Sequence, residues 1–311
     1  MVDLAEEWRK LDKVRRKPDS QAHWDKRAET FSFKDAPDAY LQAFIERAGI
    51  VGAESVLDMG CGTGSLAVAL ASKGCSVVAA DFSEGMLQRL RANAQDRGML
   101  ADCSRFSVRN PLGSKGSDSA SEGEGRLPSV PKGRIVPLRM SWEDDWQRFG
   151  LAAGSVDVAV ASRSLITHDL EDSLRKLSCA ARKRVCVTVG TGVSPRVDMR
   201  VAKAMGLQLE RHNDALFVFG ITSDLGYEPT VSYIHSPRTK LYDSPDEAYC
   251  SLLETKKYVA DASQQVSDAE CASNLHRFLK DHLVEIEDCG KRCWALDKPR
   301  VVPWAFISWE V

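Results

Sequence analysis

Val56-Leu57-Asp58-Met59-Gly60-Cys61-Gly62-Thr63-Gly64 is a short apolar run that breaks into alternating glycines. Glycines let a backbone turn tightly and leave room for a ligand to lie against it, and a helix that follows points its free amides at that ligand. Leu66 to Lys73 has helical spacing and is closed by Gly74. A second apolar run, Ser76 to Ala80, leads into Asp81-Phe82-Ser83-Glu84-Gly85-Met86-Leu87. Ser83 reads as the N-cap of a helix that carries Leu87, Leu90 and Ala94 on one face and stops at Gly98. Ser55 to Leu87 is thus a complete strand–helix–strand unit built around an open turn.

The spacing selects the ligand. Ser65 stands where a dinucleotide-binding turn of the form GxGxxG needs different spacing, so the pattern is GxGxG. Asp58 lies two residues before the first glycine, at the C-terminal end of its strand. A carboxylate there repels a pyrophosphate and suits an ammonium group, such as that on the methionine part of S-adenosylmethionine. Asp81 closes the second strand, where a carboxylate can accept from both hydroxyls of a ribose. Phe82 and Met86 follow at positions that can pack on an adenine.

On LDMGCGTG and VVAADFSEGML the chain resembles the class I S-adenosylmethionine-dependent methyltransferases, particularly the small-molecule enzymes of the methyltransferase type 11 group. The resemblance runs from about Ser55 to Val189. It implies an α/β fold: a Rossmann-like, mainly parallel seven-stranded sheet with helices on both faces and an antiparallel last strand. It also implies that Asp58, Gly60, Cys61, Gly62 and Gly64 hold the methionine side of the cofactor and that Asp81 holds the ribose. After the third strand the family places an acidic residue and a small neighbour against the adenine. Here that loop reads Met140-Ser141-Trp142-Glu143-Asp144, so Ser141 and Trp142 are expected as the wall, with the acidic residue displaced to Glu143. Ser162, at the end of the fourth strand, completes the cofactor set.

The reacting edge of such a sheet lies at the C-terminal ends of its strands. Ala161-Ser162-Arg163-Ser164-Leu165 and His168 fall there. Arg163 can bind an anionic acceptor or the cofactor carboxylate, or pair with a surface acid. His168 reads as a general base on an acceptor hydroxyl or as a histidine at a helix N-terminus. Trp24 sits on a helix that either closes over the cofactor or simply buries an indole. Tyr233, His235 and Arg238 follow a late strand and are candidates for an acceptor pocket.

The remaining strand patterns are Arg134–Met140, Val156–Ser162, Arg184–Val189, Thr230–His235 and Val301–Trp309. Strands separated by helices indicate a parallel sheet covered on both faces. Residues 1–51 read as an N-terminal helical segment, and 52–240 with 299–311 as the cofactor-binding core. Within the core, 109–134 is an insertion rich in Ser, Gly, Pro and charge, expected to be disordered. Residues 241–298 are expected to be a helical lid before the last strand. It opens with the capping sequence Ser244-Pro245-Asp246-Glu247, and its second helix has Leu275, Phe278, Leu279, Leu283 and Ile286 on one face. Tyr249 and Lys256 are its candidates for reaching a ligand.

Composition excludes several classes. A formal charge of -2 over 311 residues gives no electrostatic footprint for a nucleic acid. Arg182-Lys183-Arg184 reads as a solvated face or a helix C-terminus. No Asn/Asp-Pro-Pro-Tyr motif follows the fourth strand, which argues against exocyclic amines of nucleic acids or proteins as acceptors. The nine cysteines form no CxxC pair, so no metal site is expected. Neither a signal-peptide core nor a run of eighteen apolar residues is seen, and a cytoplasmic location is expected. The expected function is transfer of a methyl group from S-adenosylmethionine to a small-molecule acceptor. The alternatives are a nucleic-acid or protein methyltransferase and a non-catalytic S-adenosylmethionine-binding protein. The sequence leaves the oligomeric state open.

Overall fold

The computed structural model describes residues 2–15, 20–30, 38–101, 130–165, 167–192, 195, 197–209, 213–258 and 266–311. Residues 102–129, which take in most of the expected 109–134 insertion, lie outside them. Three helices come first: α1 (Leu4–Arg15), α2 (Gln21–Thr30) and α3 (Asp38–Arg47). The strand–helix–strand unit follows as β1 (Ser55–Met59), α4 (Ser65–Ser72), β2 (Ser76–Asp81) and α5 (Glu84–Gln95). Ser83 caps α5 by accepting from the Met86 amide at 3.2 Å. Next come β3 (Ile135–Arg139), β4 (Val156–Ser162), α6 (Leu170–Ala180) and β5 (Ala181–Gly190). The chain continues as α7 (Met199–Ala204), α8 (Asp214–Asp224), β6 (Thr230–Arg238), α9 (Pro245–Leu253), α10 (Asp268–His282), β7 (Leu283–Asp288), β8 (Lys291–Leu296) and β9 (Arg300–Glu310).

Among the described residues one sheet has seven strands in the order β3-β2-β1-β4-β5-β9-β6. β3, β2, β1, β4 and β5 pair in parallel. The order reverses beside β1, so the connections leaving β1 and β4 run to opposite sides and open a crevice of the kind where such sheets bind ligands. The amide of Val311 donates to the carbonyl of Lys183 at 3.1 Å, which sets the end of β9 beside the start of β5. The last long strand is therefore antiparallel. β1, β2 and β4 are almost wholly buried, as strands covered on both faces must be.

The described chain divides into two compact units. Unit 1 takes in 1–189, 215–232 and 305–311, and so includes the N-terminal helices. Its core joins Trp8 of α1 to Leu57, Ala159, Leu174, Val187, Ile307 and Trp309. Val130, expected in the insertion, packs against this core. Unit 2 is residues 190–214 and 233–304, with a core of Val201, Met205, Tyr242, Leu252, Leu275 and Leu279. It is wider than 241–298 and is not purely helical. α10 ends at His282, and Leu283 and Ile286 lie on β7, which forms an antiparallel hairpin with β8. The basic triplet Arg182-Lys183-Arg184 lies near the start of β5, with Arg182 and Lys183 exposed as a solvated face would have them. Lys183 and Arg184 bind the buried Glu54 at 3.1 and 3.0 Å, and Arg182 binds Asp157 at 3.2 Å. Among the described residues no helix is long and apolar enough to cross a membrane.

Candidate functional site

The glycine turn is locked onto β2 from above. The amides of Gly60 and Cys61 both donate to the carbonyl of Ala80, at 2.7 and 3.0 Å, and the amide of Gly62 donates to Asp81 Oδ2 at 2.9 Å. Asp81 Oδ1 accepts from the Ser83 amide at 2.9 Å. One carboxylate thus braces both the turn after β1 and the start of α5. Each of its oxygens keeps a lone pair for another donor. Gly60 is required by close approach: a Cβ there would stand 2.4 Å from the Cβ of Ser164, and φ is +72°. At Gly62 a Cβ would meet nothing within 4 Å, so the space over the turn is open.

Asp58 is 1% exposed, and its Oδ2 has no hydrogen-bond partner. Burial, and then the nearby Asp81, raise its carboxyl to about 7. Burial also raises Asp81, against the backbone amides that favour its charge. A buried acid with an unmatched oxygen is costly unless a donor or cation meets it. These features fit S-adenosylmethionine: an unmatched carboxylate oxygen for its ammonium, an open glycine turn, and a second carboxylate with spare acceptor capacity for ribose hydroxyls.

α2 is tied to the same place. Asp25 Oδ1 accepts from Ser83 Oγ at 2.6 Å and from the Gly85 amide at 3.0 Å, so a carboxylate of α2 caps the N-terminus of α5. These bonds, led by that from Ser83, hold the Asp25 carboxyl below its ordinary value. Trp24, one residue away, meets the ring of His23 edge-on at 5.7 Å.

A second cluster forms at the ends of β4 and β5. Tyr40 of α3 is 1% exposed; its hydroxyl lies 2.6 Å from Thr188 Oγ1 and 2.9 Å from Ser162 Oγ. Arg163 leaves β4 with φ +59°, and its guanidinium lies 4.1 Å from the centre of the Tyr40 ring. The Arg163 amide donates to Thr188 Oγ1 at 3.1 Å, which fixes the unusual backbone conformation. Burial raises the Tyr40 phenol, and Asp58 adds to that shift, so Tyr40 stays protonated as an anchor.

The expected residues separate in this frame. Asp58, Gly60, Cys61, Gly62, Gly64 and Asp81 meet around the turn, with Phe82 half-buried beside it. Met86 is 2% exposed and is a core residue of α5. Trp142 turns inward: its indole donates to the Ser164 carbonyl at 3.2 Å and lies 5.7 Å from the Trp146 ring. Its visible work is to tie two loops together instead of forming an open wall. Ser141 is spent on local turns with Asp144 and Glu143. Ser162 and Arg163 join the Tyr40 cluster. His168 points its ring at Asp12 of α1, 3.1 Å away, with over half its side chain exposed. That surface pair, and not an acid–base role, is what the structure gives it. Tyr40, Thr188 and Asp25 were missed. Thr188 carried a faint signal as a polar residue inside the apolar run Val185–Val189, whereas Tyr40 and Asp25 sit in helices with no motif. Among the described residues no group of three or more His, Cys, Asp or Glu could hold a metal ion.

Residues 56–115 match a family model described as a methyltransferase domain. The chain is 29% identical over 237 residues to an uncharacterized protein of Haemophilus influenzae, covering 75% of this chain and 66% of that one. It is 35% identical over 79 residues to the ubiquinone biosynthesis O-methyltransferase of Pseudomonas paraeruginosa, covering 25% of this chain and 34% of that protein. The chain therefore spans just under two thirds of the first relative and about a third of the second. Among solved structures, a putative methyltransferase of Bacillus halodurans aligns with a TM-score of 0.44 at 12% identity, over 87% of this chain and 97% of that one.

Proposed function

We propose, from the premise that this chain belongs to the class I S-adenosylmethionine-dependent methyltransferases, that it transfers the cofactor's methyl group to a small-molecule acceptor by in-line displacement. The observation that carries the reading is Asp58, buried with one unmatched oxygen beside the open turn at Gly62. When bound, the cofactor supplies a methyl group on a sulfonium, which is already a good leaving group. The chain's task is to place an acceptor in line and keep water out. Asp58 holds the ammonium, the Gly60–Gly64 turn takes the methionine backbone, and Asp81 accepts from the ribose. Tyr40 and Arg163 form the wall at the ends of β4 and β5, with Tyr40 donating as a protonated phenol. A small molecule is supported by the missing amine-acceptor motif and by the near-neutral charge. The O-methyltransferase relative is named for ubiquinone biosynthesis, which points the same way.

The test is transfer of isotope-labelled methyl from S-adenosylmethionine into a fractionated cell extract. Label is expected among small molecules and is lost in Asp58→Asn. Label in nucleic acid or protein would contradict the small-molecule reading. Tight cofactor binding with no label in any fraction would make the chain a binding protein.

A further inference from the structure

Within unit 1, the carboxylate of Asp81 is one station on a closed circuit of contacts. Asp81 ends β2, and its register partner on β3 is Arg139. From Arg139 a run of hydrogen bonds leaves the sheet, crosses α2 and returns to Asp81. Arg139 donates to Gln21 Oε1 at 2.9 Å, and Gln21 Nε2 donates to Asp25 Oδ2 at 3.3 Å. Asp25 Oδ1 accepts from Ser83 Oγ at 2.6 Å and from the Gly85 amide at 3.0 Å. The Ser83 amide then closes the circuit on Asp81 Oδ1 at 2.9 Å.

Asp25 is the member on which the place of Ser83 depends. Ser83 is 0% exposed; its hydroxyl accepts from the Met86 amide at 3.2 Å and gives its own proton to Asp25. Without Asp25 that hydroxyl becomes a buried donor with no acceptor, and the residue must shift to satisfy it. The two helices leave little slack. A Cβ on Gly85 would stand 3.0 Å from the Cα of Asp25 and 3.2 Å from its carbonyl oxygen. Asp81 is itself 7% exposed, with its two oxygens held by the amides of Ser83 and Gly62. Those two amides decide where its remaining lone pairs point.

We propose that Asp25 is a positioning residue for the cofactor: through Ser83 it sets the direction in which Asp81 presents its spare lone pairs to the ribose hydroxyls. Hydrogen bonds weaken steeply away from their preferred angle, so a small turn of this buried carboxylate is felt at the ribose. Asp25 acts through its neighbour and needs no contact with the ligand, as groups that orient a binding residue from behind commonly do. This role rests on Asp81 being the ribose acceptor.

Calorimetry on the full chain, with S-adenosylhomocysteine and with its 2′,3′-dideoxy analogue, reads the ribose hydroxyls as a ratio of two affinities. In wild type that ratio is expected to be roughly tenfold or more, and smaller in Asp81→Asn. In Asp25→Ala it should fall to about threefold or less, because the side chain and the hydroxyls are coupled. A helix cap with a structural role alone would lower both affinities alike and leave the ratio as it was. Asp25→Asn keeps an oxygen for Ser83 and Gly85, and should restore most of the ratio. Arg89→Gln removes the bond from Arg89 to the Glu29 carbonyl at 2.6 Å, so it also loosens α2 from α5, yet it should leave the ratio unchanged. Should Asp25→Ala fail to fold, Gly85→Ala decides. Its methyl group presses α2 away while alanine favours the helix, and the ratio should again fall. An undiminished ratio in the deciding variant, with a reduced one in Asp81→Asn, would overturn the positioning role and leave the ribose assignment standing. A wild-type ratio near one would remove both.

Discussion

Asp58 has one oxygen without a partner and a carboxyl raised to about 7, first by burial and then by Asp81. A carboxyl raised in the folded chain keeps its proton from the ordinary value up to about 7, whereas a bound ammonium favours the ionised form. Affinity for S-adenosylhomocysteine should therefore rise as pH climbs from about 5 and level off above about 7, with proton release on binding near pH 6. Calorimetry in buffers of different ionisation heat measures that release; a flat affinity would remove Asp58 from the contact. The unfolded chain ionises this group at lower pH, so it weakens the cofactor-free fold progressively as pH rises toward about 7. Asp58→Asn should accordingly melt higher than wild type at pH 8 yet bind the cofactor at least tenfold more weakly. The glycines separate in a similar way. Gly60→Ala meets Ser164 at 2.4 Å and should cost on the order of 2 kcal/mol or more of stability in a denaturant titration. Gly62→Ala meets open space, so its stability cost should be about 1 kcal/mol, from its positive φ, with the larger loss in cofactor affinity.

At the scale of elements, α2 is fastened to α5 through Asp25, which takes both the Ser83 hydroxyl and the Gly85 amide. Asp25→Ala should lower stability by about 1–2 kcal/mol, the cost of a lost helix cap, and raise hydrogen exchange in 21–30. Unchanged exchange there would mean α2 is held by other contacts. How legible each element was depended on how local its signal is. The β1–α4–β2–α5 unit was readable because its caps, glycines and apolar runs all lie within a short stretch. The end of α10 was misread because Leu275, Phe278, Leu279, Leu283 and Ile286 continue a helical spacing across a real boundary. The correcting signal was present in Cys289-Gly290. Both adopt positive φ, +49° and +78°, as a two-residue hairpin turn between antiparallel strands requires. Tyr40 could not be assigned from sequence, since its partners Ser162 and Thr188 are more than a hundred residues away.

For the whole molecule, ion pairs at the opposite ends of the strands should govern behaviour in acid. Burial pushes Asp157 up, but bonds from Ser55 and Arg182 outweigh it and hold the carboxyl at about 2. Glu54 is likewise held below its usual value by Arg184 and Lys183 against burial. Depressed carboxyls contribute stability above their ordinary values and lose it as pH falls toward their folded ones. The melting temperature should therefore drop steeply between about pH 4 and 2, and less steeply in Asp157→Asn. Excising residues 110–128 should leave folding and cofactor binding nearly unchanged, because that stretch is poor in large apolar residues and loop length costs little. A fall in melting temperature on excision would show that the segment packs on the core. Binding of S-adenosylmethionine by the turn between Asp58 and Asp81 is measured by calorimetric titration with S-adenosylhomocysteine, with NADH alongside. Micromolar binding is expected, on the order of -8 kcal/mol, with no heat from NADH and a loss of roughly tenfold or more in Asp81→Asn. No heat with S-adenosylhomocysteine or S-adenosylmethionine, together with tight binding of NADH, would contradict it.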